Sequence, residues 1–368
     1  MSTSAGRPIR PRILVLAPNW LGDAVMTSPS LDVLDAALGG EFAIHLAVKR
    51  AWMDLYRDDP RLGGIIPVER PGRHDGIGGM IRLGRDLSSH GFGAALIGPP
   101  SLRAAVIGRL AGIPIRVGYR TDGRGPLLTH GLVFPGRGAS HFSEQMAALA
   151  ATLAGALGRA LPEGRTSGGR SPLLPGCLGI PCDPGPGPAV WAFGPGATYG
   201  AAKTWPLDQA AAFIEAAVMK RGVRLVLLGD AAAGRHSPAL ARASGVPWSR
   251  TWGPEPGVVD LLGRTTLPEA VGVLRRCEAY VGNDSGLMHL AGALGVATVG
   301  IFGSSDPRWT APLGPWTSAL AAEGFPCRPC FRKTCNQDVF CLETVTAAVV
   351  SAEVESLIRR RAEGSEVP

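Results

Sequence analysis

Short apolar segments alternate with helical segments along this 368-residue chain, and glycine-rich joints separate them. In the first half, the pattern of short buried strands occurs at residues 13–17, 43–48, 94–97 and 116–118, and that of helices at 24–38 and 102–110. Parallel strands need helical crossovers rather than tight hairpins. The alternation therefore predicts an α/β fold with parallel sheets.

The same alternation restarts after a proline-rich interruption at residues 184–188, which can form neither a helix nor a central strand. Beyond it, strands are predicted at 189–193, 224–228, 279–282 and 298–302, and helices at 207–221, 267–275, 287–294 and 344–361. The chain is long enough for two cores. We expect an N-terminal domain (1–165), a linker (166–188), a C-terminal domain (189–345) and a final helix with its tail (346–368).

The net charge of +7 favours anionic partners, and does not by itself choose among nucleic acid, anionic lipid and phosphorylated sugars. Zinc-finger, RRM and helix-turn-helix patterns are absent from the sequence, so no nucleic-acid partner is expected. No apolar run reaches the ~20 residues of a membrane span. The first apolar run, residues 13–17, is too short for a signal peptide, which predicts a cytoplasmic protein.

A polar turn at residues 283–286 joins a predicted strand to a predicted helix. Asp284 and Ser285 are favourable helix N-cap residues, and the N-terminus of a helix attracts phosphates through its free N–H groups. His289 follows Ser285 by one helical turn, so it can face the same ligand. The alternative is an ordinary capped helix with His289 in the core.

A second joint follows the first predicted strand at residues 17–27. Gly22 permits a tight turn, and Asp23 stands at the start of the next helix. Asp23 is either a helix cap or a catalytic carboxylate, and its position at the carboxyl end of a strand favours the second interpretation.

A third joint, residues 194–206, is rich in glycine. Gly194 and Gly196 permit close approach of the backbone to a phosphate, Thr198 adds a hydroxyl, and Lys203 adds a cation. The segment is neither a P-loop nor a dinucleotide-binding turn, because the Gly-Lys-Ser/Thr ending is missing and the next helix is delayed. Lys203 as a solvated loop lysine is the alternative.

Together, the three joints resemble the ADP-heptose:lipopolysaccharide heptosyltransferases of glycosyltransferase family 9, and within them the heptosyltransferase II group. Residues 19–23 (Asn-Trp-Leu-Gly-Asp) are similar to the acceptor-side motif of that family. Residues 194–197 followed by 202–206 resemble its donor loop, and residues 283–289 its diphosphate-binding turn. The resemblance spans nearly the whole chain in the same order.

This resemblance implies a GT-B fold, with two Rossmann-like domains facing a cleft and a C-terminal helix that crosses back to the first domain. The first domain would bind the acceptor and the second the nucleotide sugar. It also implies inverting, metal-independent transfer of L-glycero-D-manno-heptose from ADP-heptose to the lipopolysaccharide inner core (Kdo/heptose-lipid A). The lipid acceptor and the basic charge suggest peripheral contact with the inner membrane.

The resemblance also assigns roles to residues. Asp23 and Lys203 are the expected catalytic residues, as the base and as the cation that stabilises the leaving diphosphate. The expected donor-binding residues are Gly194, Gly196, Thr198, Lys203, Asp284, Ser285, Gly286 and His289. The acceptor-side motif makes Asn19 and Trp20 expected acceptor-binding residues, and charge complementarity to an acidic acceptor adds Arg103 and Arg120.

Arginines crowd the first half near predicted strand ends, where guanidinium groups would suit the carboxylates and phosphates of such an acceptor. The group comprises Arg103, Arg109, Arg116, Arg120 and Arg124. For any single member, ordinary surface charge is the alternative interpretation.

One segment departs from the family pattern. After the strand at 224–228 the family commonly carries an acidic residue that contacts the nucleotide ribose. This chain has Arg235 near that position, and Asp230 is the nearest carboxylate that could substitute. The nucleotide preference therefore stays open.

Four cysteines cluster at Cys327, Cys330, Cys335 and Cys341. Four thiols at this spacing suit either a structural zinc ion or four reduced side chains. The spacing is looser than that of paired zinc knuckles, which favours the reduced thiols.

Two further classes of function are weighed beside heptose transfer. One is another GT-B reaction, catalysed by a different nucleotide-sugar transferase or by a 2-epimerase, although the sequence has no motif for the extra acid/base groups of an epimerase. The other is a non-catalytic nucleotide-sugar-binding protein on the same scaffold, which the presence of Asp23 and Lys203 disfavours.

Overall fold

A computed structural model describes residues 10–161, 174, 177, 179 and 182–364 of the chain. These residues form two compact units. Unit 1 contains residues 10–19, 27–135 and 143–161, and unit 2 contains residues 20–26, 136–142 and the described residues from 174 onwards. The predicted boundary at residue 165 and much of the predicted linker lie outside the described residues.

The first half contains these elements in chain order: β1 (Arg12–Leu16), α1 (Leu21–Met26), α2 (Ser28–Leu38), β2 (Ala43–Lys49), β3 (Leu62–Val68), α3 (Gly76–Ser88), β4 (Ala94–Ile97), α4 (Leu102–Leu110), β5 (Ile115–Tyr119), β6 (His130–Leu132) and α5 (Phe142–Ala156). The six strands form one parallel sheet in the order β3-β2-β1-β4-β5-β6, as the alternating pattern predicts. Buried apolar residues such as Leu14, Ala95 and Leu83 fill the core between this sheet and its helices.

The second half contains β7 (Val190–Gly194), α6 (Leu207–Glu215), β8 (Arg224–Leu227), α7 (Ser237–Ser244), β9 (Trp248–Ser249), β10 (Gly257–Asp260), α8 (Leu267–Arg276), β11 (Ala279–Asn283), α9 (Gly286–Ala293), β12 (Ala297–Phe302), α10 (Pro307–Thr310), β13 (Thr317–Ala321) and α11 (Ala347–Ala362). Among the described helices of the whole chain, none combines the length and apolar character that a bilayer span requires.

The seven strands of unit 2 form a second parallel sheet, in the order β13-β12-β11-β7-β8-β10-β9. The strand order reverses between β7 and β11, which pair from Ala279 and Trp191 to Gly282 and Gly194. In open α/β sheets, ligands bind outside the carboxyl ends of the strands at such a reversal. The joints at residues 194–206 and 283–286 both leave the sheet at this point.

The position of the C-terminal helix α11 differs from the one expected. The family resemblance placed it on the first domain, whereas its buried residues belong to the core of unit 2: Ala347, Val350, Val354 and Leu357. They pack with the apolar side chains of β11 and β12, such as Val281 and Val299. Burial of this apolar face fixes the helix on the second sheet.

A single helix was predicted at residues 24–38, and the structure has two. Helix α1 ends at Met26, and α2 begins at Ser28 with Pro29 in its first turn. Proline at this position favours the start of a helix. The break matters because α1, which carries Asp23, belongs to unit 2, whereas α2 belongs to unit 1.

Candidate active site

Asn283, at the end of β11, ties the segment 194–206 (the Lys203 loop) to the sheet. Its Oδ1 atom accepts a hydrogen bond of 3.0 Å from the Trp205 backbone N–H, and its Nδ2 donates one of 2.8 Å to the Pro195 carbonyl. The side chain is fully buried. Sequence analysis did not single out Asn283, although a polar residue that directly ends a buried strand was a usable signal.

Lys203 and Asp284 form an ion pair at this point. Lys203 Nζ lies 2.5 Å from Asp284 Oδ2, and the same oxygen accepts a 2.5 Å hydrogen bond from the Ser305 hydroxyl. Burial alone would raise the pKa of Asp284, but His289 and Lys203 beside it hold that pKa well below its usual range. Asp284 is therefore a stable carboxylate. Ser305, which follows β12, was missed by sequence analysis because only the tertiary fold brings it here.

The Lys203 loop is also held from its outer side. Lys203 Nζ lies 5.1 Å from the centre of the Tyr199 ring, and the Tyr199 hydroxyl donates a 2.6 Å hydrogen bond to the Phe331 carbonyl. The Ala202 N–H donates a 2.9 Å bond to the Lys333 carbonyl. Loop contacts on both sides therefore pre-position the ammonium group.

The glycines of this loop have a packing role. A Cβ atom at Gly194 would collide with the Tyr280 hydroxyl, and one at Gly196 would lie 2.6 Å from the Ala233 Cβ. These close contacts explain why both positions need glycine. Their predicted contact with a phosphate stays a prediction.

The turn at residues 283–286 (the β11–α9 turn) presents the N-terminus of α9. Ser285 is the N-cap residue, as predicted, but its side chain makes no capping hydrogen bond. The first N–H groups of α9 therefore lack a side-chain cap, one residue after the Asp284 carboxylate. Such a helix terminus favours an anionic ligand.

Asp23 lies in the first turn of α1, in the same unit as Lys203 and Asp284. Burial raises the pKa of Asp23 to about 6; the charges of His289 and Lys203 act to lower it, and that of Asp284 acts to raise it. The structure therefore brings the predicted residues Asp23, Lys203, Asp284 and His289 into one electrostatic cluster.

Two carboxylates with opposite pKa shifts in one site have separate chemical capacities. Asp284 stays ionised, and its negative charge balances the positive charge of Lys203. Asp23 can take up a proton near neutral pH, as a general base must.

The segment that departs from the family pattern touches the Lys203 loop through Asp230. Its Oδ2 atom accepts a 3.1 Å hydrogen bond from the hydroxyl of Thr198, and its Oδ1 atom accepts one of 2.9 Å from the Ala233 N–H. Asp230 is exposed and retains further acceptor capacity. Asp230 is thus a carboxylate directly bonded to a residue of the predicted donor loop.

In unit 1, two of the predicted acceptor-binding residues share a cleft of about 410 Å³. Asn19 and Arg103 line it together with Lys49 and Arg70 (the basic cleft). Arg103 donates to the carbonyls of Gly76, at 2.6 Å, and of His74, and its Nε atom is buried without a hydrogen-bond partner. Burial and the neighbouring Arg70 both lower the pKa of Lys49 and of Arg103, as expected of crowded cations.

The other two predicted acceptor residues lie elsewhere. Arg120 follows β5 and lies against Gly131, outside the set of residues that line the basic cleft. Trp20 belongs to unit 2, with 57% of its surface exposed.

Arg116 and Arg124, two further members of the arginine group, both bond to backbone carbonyls, and Arg124 does not fit the predicted acceptor face. Arg124 is fully buried and donates to the carbonyls of Tyr119 and Pro99. Arg116 donates to the carbonyls of Leu127 and Ile113. Because the Arg124 guanidinium is buried inside unit 1, it does not form part of an acceptor face, whereas Arg116 is partly exposed and its role stays a prediction.

The four clustered cysteines, Cys327, Cys330, Cys335 and Cys341, line one cavity of about 380 Å³ in unit 2. They are free thiols, and burial raises the pKa of Cys341. Within the described part of the chain, no three His, Cys, Asp or Glu side chains are arranged to hold a metal ion. The structure thus gives no support to a structural zinc ion.

Two α/β units, each built on a parallel sheet, with a cation and carboxylates at the carboxyl ends of strands in unit 2, are the architecture of GT-B glycosyltransferases, and the α/β fold class predicted from the sequence is confirmed. The family model of glycosyltransferase family 9 (heptosyltransferase) matches residues 80–340. The chain therefore belongs to glycosyltransferase family 9, as the sequence motifs predicted.

Individual relatives agree with this assignment. The chain is 31% identical to lipopolysaccharide heptosyltransferase 2 of Salmonella typhimurium, over 82% of this chain and 85% of the relative. It is 28% identical to lipopolysaccharide heptosyltransferase 1 of Pseudomonas aeruginosa, over 88% and 87% of the two chains. The solved structure of Escherichia coli ADP-heptose lipopolysaccharide heptosyltransferase II superposes with a TM-score of 0.71 at 25% identity, covering 95% of this chain and 99% of that one.

Proposed function

We propose that this enzyme transfers L-glycero-D-manno-heptose from ADP-heptose to the inner core of lipopolysaccharide. Relatives that cover most of the chain are lipopolysaccharide heptosyltransferases, and one solved relative is described as an ADP-heptose enzyme. The observation that carries the proposal is the electrostatic cluster near the reversal of the second sheet, where a carboxylate with a pKa of about 6 feels the charge of a lysine that is anchored by Asp284.

In the proposed mechanism, Asp23 accepts the proton of the attacking acceptor hydroxyl as that oxygen bonds to C1 of the heptose. The bond from C1 to the diphosphate oxygen breaks in the same step, with inversion at C1. A base with a pKa near the working pH is suited to such a late proton transfer. Asp284 is a poor candidate for this role, because its ion pair with Lys203 opposes protonation.

The leaving ADP gains negative charge as the bond breaks. Lys203 and the free N–H groups at the start of α9, from Ser285 and Gly286 onwards, would stabilise that charge. These donors make a catalytic metal unnecessary in the proposal, so transfer should persist in excess EDTA. Asp284 would hold Lys203 in place and accept hydrogen bonds from the donor sugar through its second carboxylate oxygen.

The basic cleft of unit 1 is the proposed binding site for the acidic groups of the acceptor. Its cations Lys49, Arg70 and Arg103 converge on one space, and carboxylates or phosphates of an inner core would pair with them. Arg103→Gln should raise the acceptor KM about tenfold and spare ADP-heptose affinity. Arg85→Gln, an exposed arginine of α3 outside the basic cleft, is the control, and equal acceptor KM values for the two variants would contradict this assignment.

A lipid-linked acceptor also suggests peripheral contact with an anionic membrane. Ile77 and Leu102 are 76% and 46% exposed, and the hydrogen bond from Arg103 to the Gly76 carbonyl joins their two helices. Exposed aliphatic residues beside arginines suit a lipid surface. Ile77→Ser should weaken co-sedimentation with phosphatidylglycerol vesicles, whereas Val133→Ser, at an equally exposed site, should not.

The cysteine cluster is proposed to consist of reduced thiols, because its members surround a cavity without forming a ligand set. Metal analysis of the purified protein tests this. One equivalent of zinc per chain would favour the structural zinc ion instead.

The activity itself is tested by incubating the enzyme with ADP-heptose and a heptosylated Kdo–lipid A acceptor. Mass spectrometry should find one added heptose, and NMR of the product should give the inverted anomer. ADP-glucose and UDP-sugars serve as competing donors. Turnover of a UDP-sugar without turnover of ADP-heptose would overturn the proposal.

A further inference from the structure

His289 is a buried titratable side chain whose position the transfer chemistry does not explain. The side chain is 4% exposed, and its Nε2 atom lies 3.6 Å from Asp284 Oδ1. Its Nδ1 atom is buried without a hydrogen-bond partner. If this position needed only a packing residue, an apolar side chain would be more stable than histidine, because burial of an unsatisfied polar atom is unfavourable. Its sequence-based role, contact with the donor phosphate, stays a prediction.

The ring of His289 lies directly against the turn of α1 that carries Asp23. A Cβ atom at Gly22 would collide with His289 Cδ2 and would lie 3.0 Å from Nε2. On the neighbouring turn of α9, a Cβ atom at Gly286 would lie 2.8 Å from the Leu21 Cβ. Two glycines, one on each helix, thus permit the close approach of α1 and α9 and place the imidazole beside the residue that precedes Asp23.

The charged groups around this ring come from three places: Asp23 on α1, Asp284 in the β11–α9 turn and Lys203 in its loop. Tyr280, on β11, is buried, and burial raises its pKa, which keeps it neutral. Strand β12 has no titratable residue.

Helix α8, which also packs on α9, has three charged side chains with other partners. Glu269 accepts hydrogen bonds at the cap of its own helix from Thr266, and Arg275 and Arg276 donate to the carbonyls of Cys177 and Cys182. The electrostatic surroundings of His289 are therefore dominated by two carboxylates and one ammonium group.

Resting on the proposed heptose transfer, we propose that His289 is the positioning residue of Asp23: it holds that carboxylate ionised and in place for the acceptor hydroxyl. Its imidazole fits against Gly22 on one side and lies at ion-pair distance from Asp284 on the other. A positive charge on the ring lowers the pKa of Asp23 against the burial that raises it. It acts through Asp23 and does not touch the reacting atoms.

The test is the pH dependence of heptose transfer by His289→Gln, which keeps a polar side chain and removes the charge. Without the charge the pKa of Asp23 rises, so the acidic limb of kcat/KM should move to higher pH by about one unit. The variant should lose about tenfold at pH 6 and recover most activity at pH 8.5, with ADP-heptose KM unchanged. His141→Gln, a partly buried histidine of the same unit that bonds the Ala311 carbonyl, is the control.

A second readout separates this inference from the proposed function. The Asp23 carboxyl carbon is titrated by ¹³C NMR in the wild type and in His289→Gln, with Asp23→Asn to assign the signal. A higher pKa in His289→Gln supports the role even if ADP-heptose is not the donor. An unmoved Asp23 titration, or a loss of activity equal at all pH values, would overturn it. Circular dichroism shows whether His289→Gln folds. If it does not fold, Gly22→Ala is used in its place, because it displaces the ring of His289 without removing it, and the same rise in the Asp23 pKa is expected.

Discussion

Asp23 and Asp284 are carboxylates of the same type in one electrostatic cluster, and their surroundings give them opposite properties. Asp284 sits in the β11–α9 turn, where Lys203 and Ser305 contact the same oxygen. Asp23 sits on α1, a short helix from the first half of the chain that packs in unit 2, and burial raises its pKa to about 6.

The comparison shows how the surroundings of two carboxylates in one site can suit one of them to a structural role and the other to proton transfer. A carboxylate with two strong partners stays ionised, and it fixes the position of the lysine that would stabilise the leaving diphosphate. A carboxylate that is buried with weaker compensation holds its proton more easily and can exchange it. Four predictions, made on three variants, break or sharpen this contrast.

The largest effect is expected from Asp23→Asn. An amide cannot accept the acceptor proton, so kcat should fall by about 10³-fold or more, whereas ADP-heptose affinity stays within about twofold. Single-turnover transfer and calorimetric binding give the two values. Asp208→Asn, on the surface of the first turn of α6, should retain full activity. Activity in Asp23→Asn within tenfold of the wild type would remove Asp23 from the role of base.

Lys203→Met should lower kcat by about 10²-fold, because it removes one donor from the developing diphosphate charge and leaves the backbone donors. It should also raise the pKa of Asp284, which loses its cation. Lys220→Met, at an exposed site of the same unit, is the matched control. An equal loss in both lysine variants would mean that general surface charge is responsible.

Asp284→Asn should lower the free energy of unfolding by about 3 kcal/mol at pH 7, because Lys203 is left in a buried site without its counterion. The pKa of Asp284 is depressed in the folded state, so its contribution is present above the unfolded pKa of 3.8 and is lost as pH falls. Urea titrations at pH 7 and pH 3.5 should therefore show a smaller difference from the wild type at the lower pH. A difference that is independent of pH would contradict the ion-pair explanation.

The smallest expected effect is a gain in the free energy of unfolding rather than a loss. The pKa of Asp23 is raised in the folded state, so its ionisation destabilises the fold as pH rises from about 4 through about 6. Asp23→Asn should therefore stabilise the protein at pH 7.5 by about 1–2 kcal/mol, with no gain at pH 4. Thermal unfolding at the two pH values measures this, and a loss of stability at pH 7.5 would contradict the prediction.

Much of the fold follows from local patterns. The structure has a strand at Ala94–Ile97 and a helix at Leu102–Leu110, as predicted, because continuous apolar runs and the Ser101 cap mark them clearly. Strand β3 and helix α3 were not predicted. The first contains two consecutive glycines and a proline, and the second contains four glycines, which local propensity disfavours. In α3, Gly84 packs closely against Leu110 of α4, so a tertiary contact favours this helix despite its glycines.

The site was predictable where a motif ends a strand, and not where distant segments meet. Asp23, Lys203 and Asp284 stand at such strand ends. The hydrogen bonds of Asn283 to Trp205 and Pro195, and that of Ser305 to Asp284, join residues far apart in sequence. The same is true of the association of α1 with unit 2, because it depends on the fit of Gly22 against His289.

The most direct test of the contrast between the two carboxylates is the rate of heptose transfer from ADP-heptose as a function of pH, measured in a single turnover between pH 5 and pH 9. The rate should rise through pH about 6 and then reach a plateau, because Asp23 must lose its proton before it can act as the base. Asp23→Asn should show a low rate without that rise. A wild-type rate that is flat across pH 6, or the same rise in Asp23→Asn, would contradict the assignment.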